Sequence, residues 1–271
     1  MGIMRRLFFS RTTLFPWRMR NGALVALSTN DLFESYGVGP HCFRRGDWEQ
    51  HIERYITNHV RPGSVALDIG ANIGYFTAVL SLKTGPEGLV YAFEPVPVTL
   101  EHLKLTIRAN DLGNVTLVEG ALGDESKQVT ITYSPEVLGN ASLRERKHSP
   151  NARRSEVTMR TLDSLYEEGS IRQCDFIKMD VEGYELNVLR GGTRYLRDSG
   201  ADILFEYNPR MTEGGMIGLR LLAETILQID ARYQFHRITE SGEALRVELD
   251  SLEVSDDDYV DLLAAIPKGV S

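Results

Sequence analysis

The sequence predicts an α/β fold with a largely parallel central sheet and helices on both faces. From Ser64 onward, short apolar runs alternate with longer amphipathic stretches, which is typical of strand-helix-strand units. Glycine and proline punctuate the returns between units, as at Pro86 and Gly88. The 271 residues suffice for one large domain with extensions. We expect an N-terminal extension over residues 1–60 and a main domain over residues 61–271.

Each element of the main domain follows from its apolar pattern and its flanking turn residues. The predicted elements are strand Ser64–Ile69, a helix opened by the turn Gly70–Gly74, strand Leu89–Phe93, helix Val98–Asn110, strand Val115–Val118, strand Asp175–Met179, a helix carrying Leu186, Val188 and Leu189, strand Ala201–Tyr207 and helix Gly215–Ile229. Gly191-Gly192 marks a break. Tyr233–Ile238 and Ala244–Leu249 predict a closing hairpin.

Two further regions flank or interrupt this pattern. Val129–Tyr133 and Glu156–Arg160 predict the antiparallel arms of an insertion, and the polar stretch Gly139–Arg154 between them predicts a mobile loop. In the extension, the turn residues at 20–23 predict a hairpin and Asp47–Val60 predicts a helix. A lid over the site, a dimer arm in a homo-oligomer and an inert cap all remain open for this extension.

Composition limits the partners and the location. The net charge of −8 argues against nucleic acid, because phosphate binding needs a basic face. No apolar run approaches the roughly 20 residues of a membrane-spanning helix, and no targeting segment is recognisable. Cys42 and Cys174 lack metal-ligand spacing and are too few for a disulfide framework. We expect a cytoplasmic protein with reduced thiols.

The turn after the first strand predicts a nucleoside site. Gly70 and Gly74 allow backbone to approach a ligand closely, but Asn72 replaces the second glycine of a dinucleotide fingerprint, which disfavours NAD. Glu94 ends the second strand about 20 residues beyond Gly74, where an acidic side chain can accept hydrogen bonds from both ribose hydroxyls.

Three motifs carry a family resemblance over roughly Trp48 to Val247. Asp68-Ile69-Gly70-Ala71-Asn72-Ile73-Gly74, Phe93-Glu94-Pro95 and Ile177-Lys178-Met179-Asp180-Val181-Glu182-Gly183-Tyr184-Glu185 resemble the FkbM family of S-adenosylmethionine-dependent methyltransferases. The resemblance implies a Rossmann-like, seven-strand class I methyltransferase sheet. It also implies that S-adenosyl-L-methionine is bound by these residues: methionine moiety near Asp68, Gly70, Asn72 and the turn glycine Gly74, ribose at Glu94, adenine beside Glu119, Gly120 and Ala121.

Acidic residues at the carboxyl ends of strands are the catalytic candidates. Asp180, Glu182 and Glu206 are predicted to meet at one cleft, because methyl transfer needs an aligned acceptor and help with its proton. Asp180 is interpreted first as a general base. A divalent ion such as Mg²⁺, held with Glu206 and Asn208, is the less favoured alternative. Lys178 is expected to be paired and structural.

The acceptor is predicted only as a class. Resemblance to the family implies O-methylation, with a hydroxyl of a sugar or secondary metabolite as the small-molecule or glycan acceptor. Asn140, Ser142 and His148 are the candidates for contact with it, and the loop arginines 144, 146, 153 and 154 are candidates for an anionic group. A carboxyl- or N-methyltransferase and a catalytically silent nucleoside-binding module remain as alternatives.

Overall fold

The fold is a mixed central sheet with helices on both faces. The structure is a computed structural model, which describes residues 13–28, 38–134, 137–142 (backbone only), 152–212, 216–249, 252 and 259–267. Within these ranges the strands are β1 Leu14–Arg18, β2 Leu24–Ser28, β3 Val65–Ile69, β4 Leu89–Glu94, β5 Val115–Glu119, β6 Ala121–Leu122, β7 Lys127–Ser134, β8 Val137–Ser142, β9 Arg153–Arg160, β10 Phe176–Met179, β11 Asp202–Tyr207, β12 Gln234–Ile238, β13 Ala244–Arg246 and β14 Val260–Ala265. The helices there are α1 Val38–Arg45, α2 Gln50–His59, α3 Tyr75–Thr84, α4 Pro97–Ala109, α5 Leu162–Glu167, α6 Glu185–Arg190, α7 Thr193–Ser199 and α8 Met216–Ile229.

The predicted strands lie side by side in the central sheet, whose order is β13-β12-β14-β11-β10-β3-β4-β5. The five strands from β11 to β5 run parallel to their neighbours, and β14 runs antiparallel to both β11 and β12. The first strand of the main domain, β3, lies between β4 and β10, so the direction of winding changes beside it. Ligands of open α/β sheets bind at such a switch point, outside the carboxyl ends of the strands.

Two apolar cores cover the two faces of the sheet. Because successive side chains of a strand point to opposite faces, neighbours in one strand enter different cores. Leu67 and Ile177 pack with residues of α5 to α8, whereas Ala66 and Phe176 pack with residues of α2 and α3. The strands are buried on both faces, which explains why they appear in the sequence as continuous apolar runs.

The carboxyl-terminal part of the sheet corrects the predicted strand count. The hairpin is confirmed as β12 and β13, with Ile238 opposite Ala244. However, β14 inserts between β11 and β12, so the described part of the sheet has eight strands where seven were expected. The sequence analysis assigned nothing to residues 260–265, because a short apolar run without alternation cannot be recognised as a strand by its period.

The insertion forms a small sheet of its own, in the order β6-β9-β7-β8. Its predicted antiparallel arms are confirmed, with Val129 opposite Val157. The predicted loop Gly139–Arg154 is wrong at both ends, because residues 139–142 belong to β8 and residues 153–154 to β9. Strand β8 is defined by its pairing with β7, so its own side-chain pattern gave no signal. Residues 143–151 lie outside the described residues.

The N-terminal extension packs against the face of the sheet that carries α3 and α4. Its hairpin β1–β2 and its helix α2 are confirmed, whereas α1 was not predicted. Val25, Leu27 and Ile52 lie in the same core as residues of β3 and β10. The side-chain amide of Asn110 accepts a hydrogen bond from the backbone N–H of Leu24 at 2.7 Å and donates one to its carbonyl oxygen at 2.6 Å. In the described ranges no helix is both long and apolar enough to cross a bilayer.

Candidate active site

A cleft of about 710 Å³ opens at the carboxyl ends of β3, β4 and β10. The turn after β3 and the end of β4 form one side, through Gly70, Asn72 and Glu94. The segment after β10, including Asp180 and Glu182, forms the other. Three chain segments far apart in sequence therefore meet at the switch point of the sheet.

Gly70 allows the turn after β3 to lie directly against the segment after β10. Its φ of +84° is one that side-chain-bearing residues rarely adopt, and a Cβ added there would stand 1.9 Å from the carbonyl oxygen of Asp180. Asn72 also has a positive φ, 49°, which asparagine tolerates better than most residues. The close approach requires glycine at position 70.

Glu94 is buried at the base of the cleft. Its Oε2 accepts the backbone N–H of Asn72 at 2.9 Å, and its Oε1 accepts that of Val96 at 2.8 Å. Burial raises the pKa of this carboxyl to about 7, although the two backbone donors oppose the shift. The carboxylate oxygens retain lone pairs for a ligand, since each accepts one protein hydrogen bond.

The other predicted cofactor residues fall into two groups. Gly120 and Ala121 line the cleft, whereas Asp68, Gly74 and Glu119 do not. Asp68 is fully buried behind the cleft, where Oδ2 accepts a hydrogen bond from Thr77 at 2.5 Å. Gly74 packs against α4, and Glu119 is exposed and pairs with Lys104 at 2.8 Å.

The apolar wall of the cleft was not predicted. Val96, Leu122, Ile131 and Tyr184 line it together with the glycine turns. Ile131 belongs to β7, so the inserted sheet contributes a side chain to the cleft. The alternation of Val129, Ile131 and Tyr133 was visible in the sequence, but nothing in it showed which element they would face.

A second, much smaller cavity, with room for about one water molecule, lies on the other side of Asp180, between β10, β11, β14 and the start of α2. Glu206 lines this cavity and not the cleft, although Glu182 lies near enough for its charge to raise the pKa of Glu206. Asp261 stands directly opposite Glu206 across the antiparallel β11–β14 pair. Two ionised carboxyl groups at these positions would repel, which favours the neutral form of Glu206. Asp180 alone of the three predicted catalytic residues lines both spaces.

Lys178 is the cation at the centre of this acidic group. Its Nζ lies 3.2 Å from Asp180 Oδ2 and 4.8 Å from the centre of the Phe76 ring. Burial by itself lowers the pKa of this ammonium, but Asp180, Asp68 and Glu49 raise it above its ordinary value. Lys178 is therefore charged at neutral pH and paired, as its position in the middle of a strand suggested.

The carboxyl of Glu206 has its pKa raised well above its ordinary value, by burial first and then by the negative charges of Asp180, Glu49, Asp261 and Glu182. This shift favours its protonated form, which can donate a hydrogen bond. Glu49 was missed by the sequence analysis, because position 49 lies 131 residues before Asp180 in sequence and no local motif marks it.

Glu182 and Glu185 have different positions. Glu182 lines the cleft with a positive φ of 55°. Glu185 is buried, and its Oε1 accepts the backbone N–H groups of Val181 and Gly183 at 3.2 and 3.1 Å. Burial raises the pKa of Glu185 to about 7, against the effect of these donors. Glu185 therefore holds the turn that presents Glu182.

The remaining predicted residues are those expected to contact the acceptor and the possible metal ligand Asn208. Asn140 and Ser142 belong to β8, whose side chains lie outside the described structure, as does His148. Asn208 Oδ1 accepts the backbone N–H of Arg210 at 3.1 Å. Among the described residues, no group of three or more His, Cys, Asp or Glu side chains is arranged to hold a metal ion.

A switch-point cleft with a glycine turn and a buried acidic residue at the next strand end defines a class I nucleoside-binding α/β fold. The Methyltransferase FkbM domain matches residues 68–245, about two thirds of the chain. The chain therefore belongs to the FkbM family of methyltransferases, which use S-adenosylmethionine.

Two relatives and one solved structure illustrate the similarity. Hexuronic acid methyltransferase AglP of Haloferax volcanii is 30% identical over 151 residues, 55% of this chain and 58% of its own length. 31-O-demethyl-FK506 methyltransferase FkbM of Streptomyces tacrolimicus is 36% identical over 149 residues, 54% of this chain and 50% of its own. The chain thus spans little more than half of these relatives.

The crystal structure of Methyltransferase FkbM from Methylobacillus flagellatus superposes with a TM-score of 0.52 at 18% identity. The superposition covers 78% of this chain and 47% of the Methylobacillus protein. At this identity the similarity supports the fold alone.

The residues present fit S-adenosylmethionine. Two buried acceptors near the glycine turn, Asp68 Oδ1 and Asn72 Oδ1, have no hydrogen-bond partner within the described structure. Buried polar atoms without partners are costly, so they favour a bound donor such as an ammonium or hydroxyl group. Glu94 adds acceptors for the ribose, and the apolar wall suits an adenine ring.

Proposed function

We propose that this chain transfers the methyl group of S-adenosylmethionine to a hydroxyl oxygen of a sugar or secondary metabolite. The observation that carries the proposal is the cleft itself, in which Gly70, Asn72 and Glu94 stand on one side and Asp180 on the other. When bound, S-adenosylmethionine supplies an electrophilic methyl group, so no covalent nucleophile of the protein is needed.

The protein groups divide the work of binding. Gly70 and Asn72 hold the methionine end, with Asp68 acting from behind the turn. Glu94 accepts hydrogen bonds from the ribose hydroxyls, and the turn at Gly120 and Ala121 receives the base. Gly74 and Glu119 act from outside the cleft, through the packing of α4 and the ion pair with Lys104. The assignment of each residue is testable by its effect on the dissociation constant.

Oxygen as the acceptor atom is supported by the surroundings of Asp180. A hydroxyl must lose its proton during transfer, and this end of the sheet gathers several carboxyl groups. The names of the two relatives also refer to a hexuronic acid and to a 31-O-demethyl compound.

Cys42 and Cys174 are both free and buried, which supports the proposed cytoplasmic location.

The test is transfer of labelled methyl from S-adenosylmethionine to matched acceptors: methyl glycosides, simple alcohols, carboxylic acids and amines. We expect product with the hydroxyl compounds, and we expect it to survive mild alkali, because methyl ethers are stable there and methyl esters are not. An alkali-labile product or an N-methyl product would contradict oxygen transfer. Tight cofactor binding without any product would favour the catalytically silent module.

A further inference from the structure

A third space, the outer pocket of about 590 Å³, lies between the N-terminal extension and the carboxyl edge of the sheet. Residues 41–51 of α1, α2 and their connection form one side. Glu240, in the β12–β13 turn, and Tyr259, just before β14, form the other. Because β14 is antiparallel to β11, its first residue lies at the same edge as the carboxyl end of β11, where Tyr207 faces Val260. The outer pocket is therefore on the active edge of the sheet.

The outer pocket is connected to the cofactor cleft through two acidic residues. Asp180 lines both the cleft and the small cavity beside it, and Glu49 lines both that cavity and the outer pocket. The small cavity between them has room for only about one water molecule, so the outer pocket and the cleft are linked there by the two carboxyl groups and not by an open passage.

Glu49 is placed to meet such a molecule. It precedes α2 in a left-handed conformation, φ 40° and ψ 60°, and its side chain makes no capping bond to the helix. Glutamate rarely adopts this conformation, and such strain is found more often at functional sites than elsewhere.

Burial, together with the surrounding charges, brings the pKa of Glu49 close to neutral. Burial raises the pKa of its carboxyl to about 7, Asp180 and Asp261 add to the shift, and Lys178 and His51 oppose it. Glu206 and Tyr259 also face this group, because each has its pKa raised by the charge of Glu49. A carboxyl with this pKa can accept a proton at neutral pH.

The outer part of the pocket is basic and aromatic. Arg44 and Arg45 are exposed at the end of α1, and Trp48 is partly buried with its ring 5.1 Å from that of His41. Asp47 already pairs with Arg20 at 3.0 Å and accepts a hydrogen bond from Gln50 at 2.6 Å. Arginine binds carboxylates through paired donors, and an indole offers an apolar face with a polar edge.

Strand β8, which contains two residues predicted to contact the acceptor, lies near the helix that lines the outer pocket. Its backbone packs beside α1, the helix that carries Arg44 and Arg45. The residues named as acceptor contacts from the sequence, Asn140 and Ser142, belong to that strand. Two segments nearly 100 residues apart in sequence thus come together beside the outer pocket.

We propose that the outer pocket is the acceptor site, that it takes an acidic sugar with its anionic group at Arg44 and Arg45, and that Glu49 accepts the proton of the hydroxyl that is methylated. This inference rests on the proposed function. As the acceptor oxygen forms its bond to the methyl carbon, the carbon–sulfur bond breaks with its electron pair on sulfur. The sulfonium becomes a neutral thioether, and the hydroxyl proton passes to Glu49.

Binding can be measured without turnover. The full chain saturated with S-adenosylhomocysteine is titrated in a calorimeter with methyl β-D-glucuronide and with methyl β-D-glucoside, which differ only at the carboxylate. We expect the glucuronide to bind at least 10-fold more tightly, and we expect Arg44→Ala/Arg45→Ala to remove the difference. Arg61→Ala, an exposed arginine outside the pocket, is the matched control.

Equal affinity for the two sugars, or no binding of either, would overturn the acceptor assignment, provided that S-adenosylhomocysteine binds. Failure of S-adenosylhomocysteine to bind would instead contradict the proposed function. The two results are distinguishable, because the cofactor titration is performed first on the same protein.

The role of Glu49 has its own readout. With methyl β-D-glucuronide as acceptor, we expect Glu49→Gln to lower kcat by about 100-fold or more while glucuronide affinity and melting temperature change little. The wild-type rate should rise as the pH increases through about 7, and the rate of the variant should not show this rise. Glu87→Gln, an exposed control, should behave as wild type. If the rate of Glu49→Gln still rose with pH through about 7, Glu49 would not be the proton acceptor. A wild type that binds the glucuronide without methylating it would also overturn this role of Glu49.

Discussion

The cofactor cleft and the acidic cavity beside it lie at the same edge of the sheet but are built differently. The cleft consists of glycine turns, backbone donors and apolar side chains around one buried acid, Glu94. The cavity gathers Glu49, Asp180, Glu206 and Asp261 around Lys178. The cleft is suited to holding a ligand through shape and hydrogen bonds, whereas the cavity gathers carboxyl groups that can accept or release a proton. In the function that we propose, this difference separates binding of the methyl donor from activation of the acceptor.

The largest expected effect comes from adding a side chain at Gly70, where the turn after β3 touches the segment after β10. Gly70→Ala places a Cβ 1.9 Å from the Asp180 carbonyl oxygen, at a φ of +84°, so the two segments must separate. We expect the affinity for S-adenosylhomocysteine to fall by more than about 100-fold, or about 3 kcal/mol. Calorimetry measures this change.

Gly85→Ala is the matched control for Gly70→Ala. Gly85 also has a positive φ, +69°, but nothing lies within 4 Å of an added Cβ. It should cost only about 1 kcal/mol of stability, from backbone strain, and leave cofactor binding unchanged. Equal losses of affinity in both variants would show that strain and not contact explains the effect.

The charge balance of the cavity is tested by a double-mutant cycle. Lys178→Met leaves the surrounding carboxylates without their cation, and we expect it to lower the free energy of unfolding by about 3 kcal/mol. Asp180→Asn should cost less, because its side chain is 28% exposed and partly solvated. Denaturant titration should give a double variant that loses less than the sum of the two. Strict additivity would contradict the pairing.

A smaller effect is the pH dependence that Glu185 contributes to stability. Its pKa rises from 4.5 to about 7 on folding, so the folded protein binds the proton more tightly. The stabilisation is complete at pH values below about 4.5 and is lost as the pH rises to about 7. Glu185→Gln keeps an oxygen for the N–H groups of Val181 and Gly183. It should reduce the slope of unfolding free energy over this range by roughly 1 kcal/mol per pH unit. An unchanged slope would contradict the shift.

The smallest expected effect comes from the apolar wall. Ile131→Ala removes a side chain of the inserted sheet from the cleft, and we expect affinity for S-adenosylhomocysteine to fall by about 10-fold. Val157→Ala lies in the same apolar cluster but outside the cleft. It should lower stability without changing affinity. An equal fall in affinity in both variants would show that the cluster acts only through stability.

The same contrast explains what the sequence could predict. The cleft was predictable because the turn at residues 70–74 and Glu94 lie within one strand-helix-strand unit, where spacing alone brings them together. The meeting of Asp180 and Glu206 could be predicted from their places at strand ends, but Glu49 and Asp261 come from distant segments, and only the folded sheet shows that they join the other two. Strands β8 and β14 were missed for a related reason, because each is defined by its pairing partner and not by its own side-chain period.

The central claim is that the cleft binds S-adenosylmethionine through Glu94. Calorimetric titration of the purified chain with S-adenosylmethionine and S-adenosylhomocysteine, beside Glu94→Ala, tests it most directly. We predict saturable one-to-one binding by the wild type and a loss of more than about 100-fold in the variant. Absence of binding by a folded wild type, or equal binding by Glu94→Ala, would contradict the account.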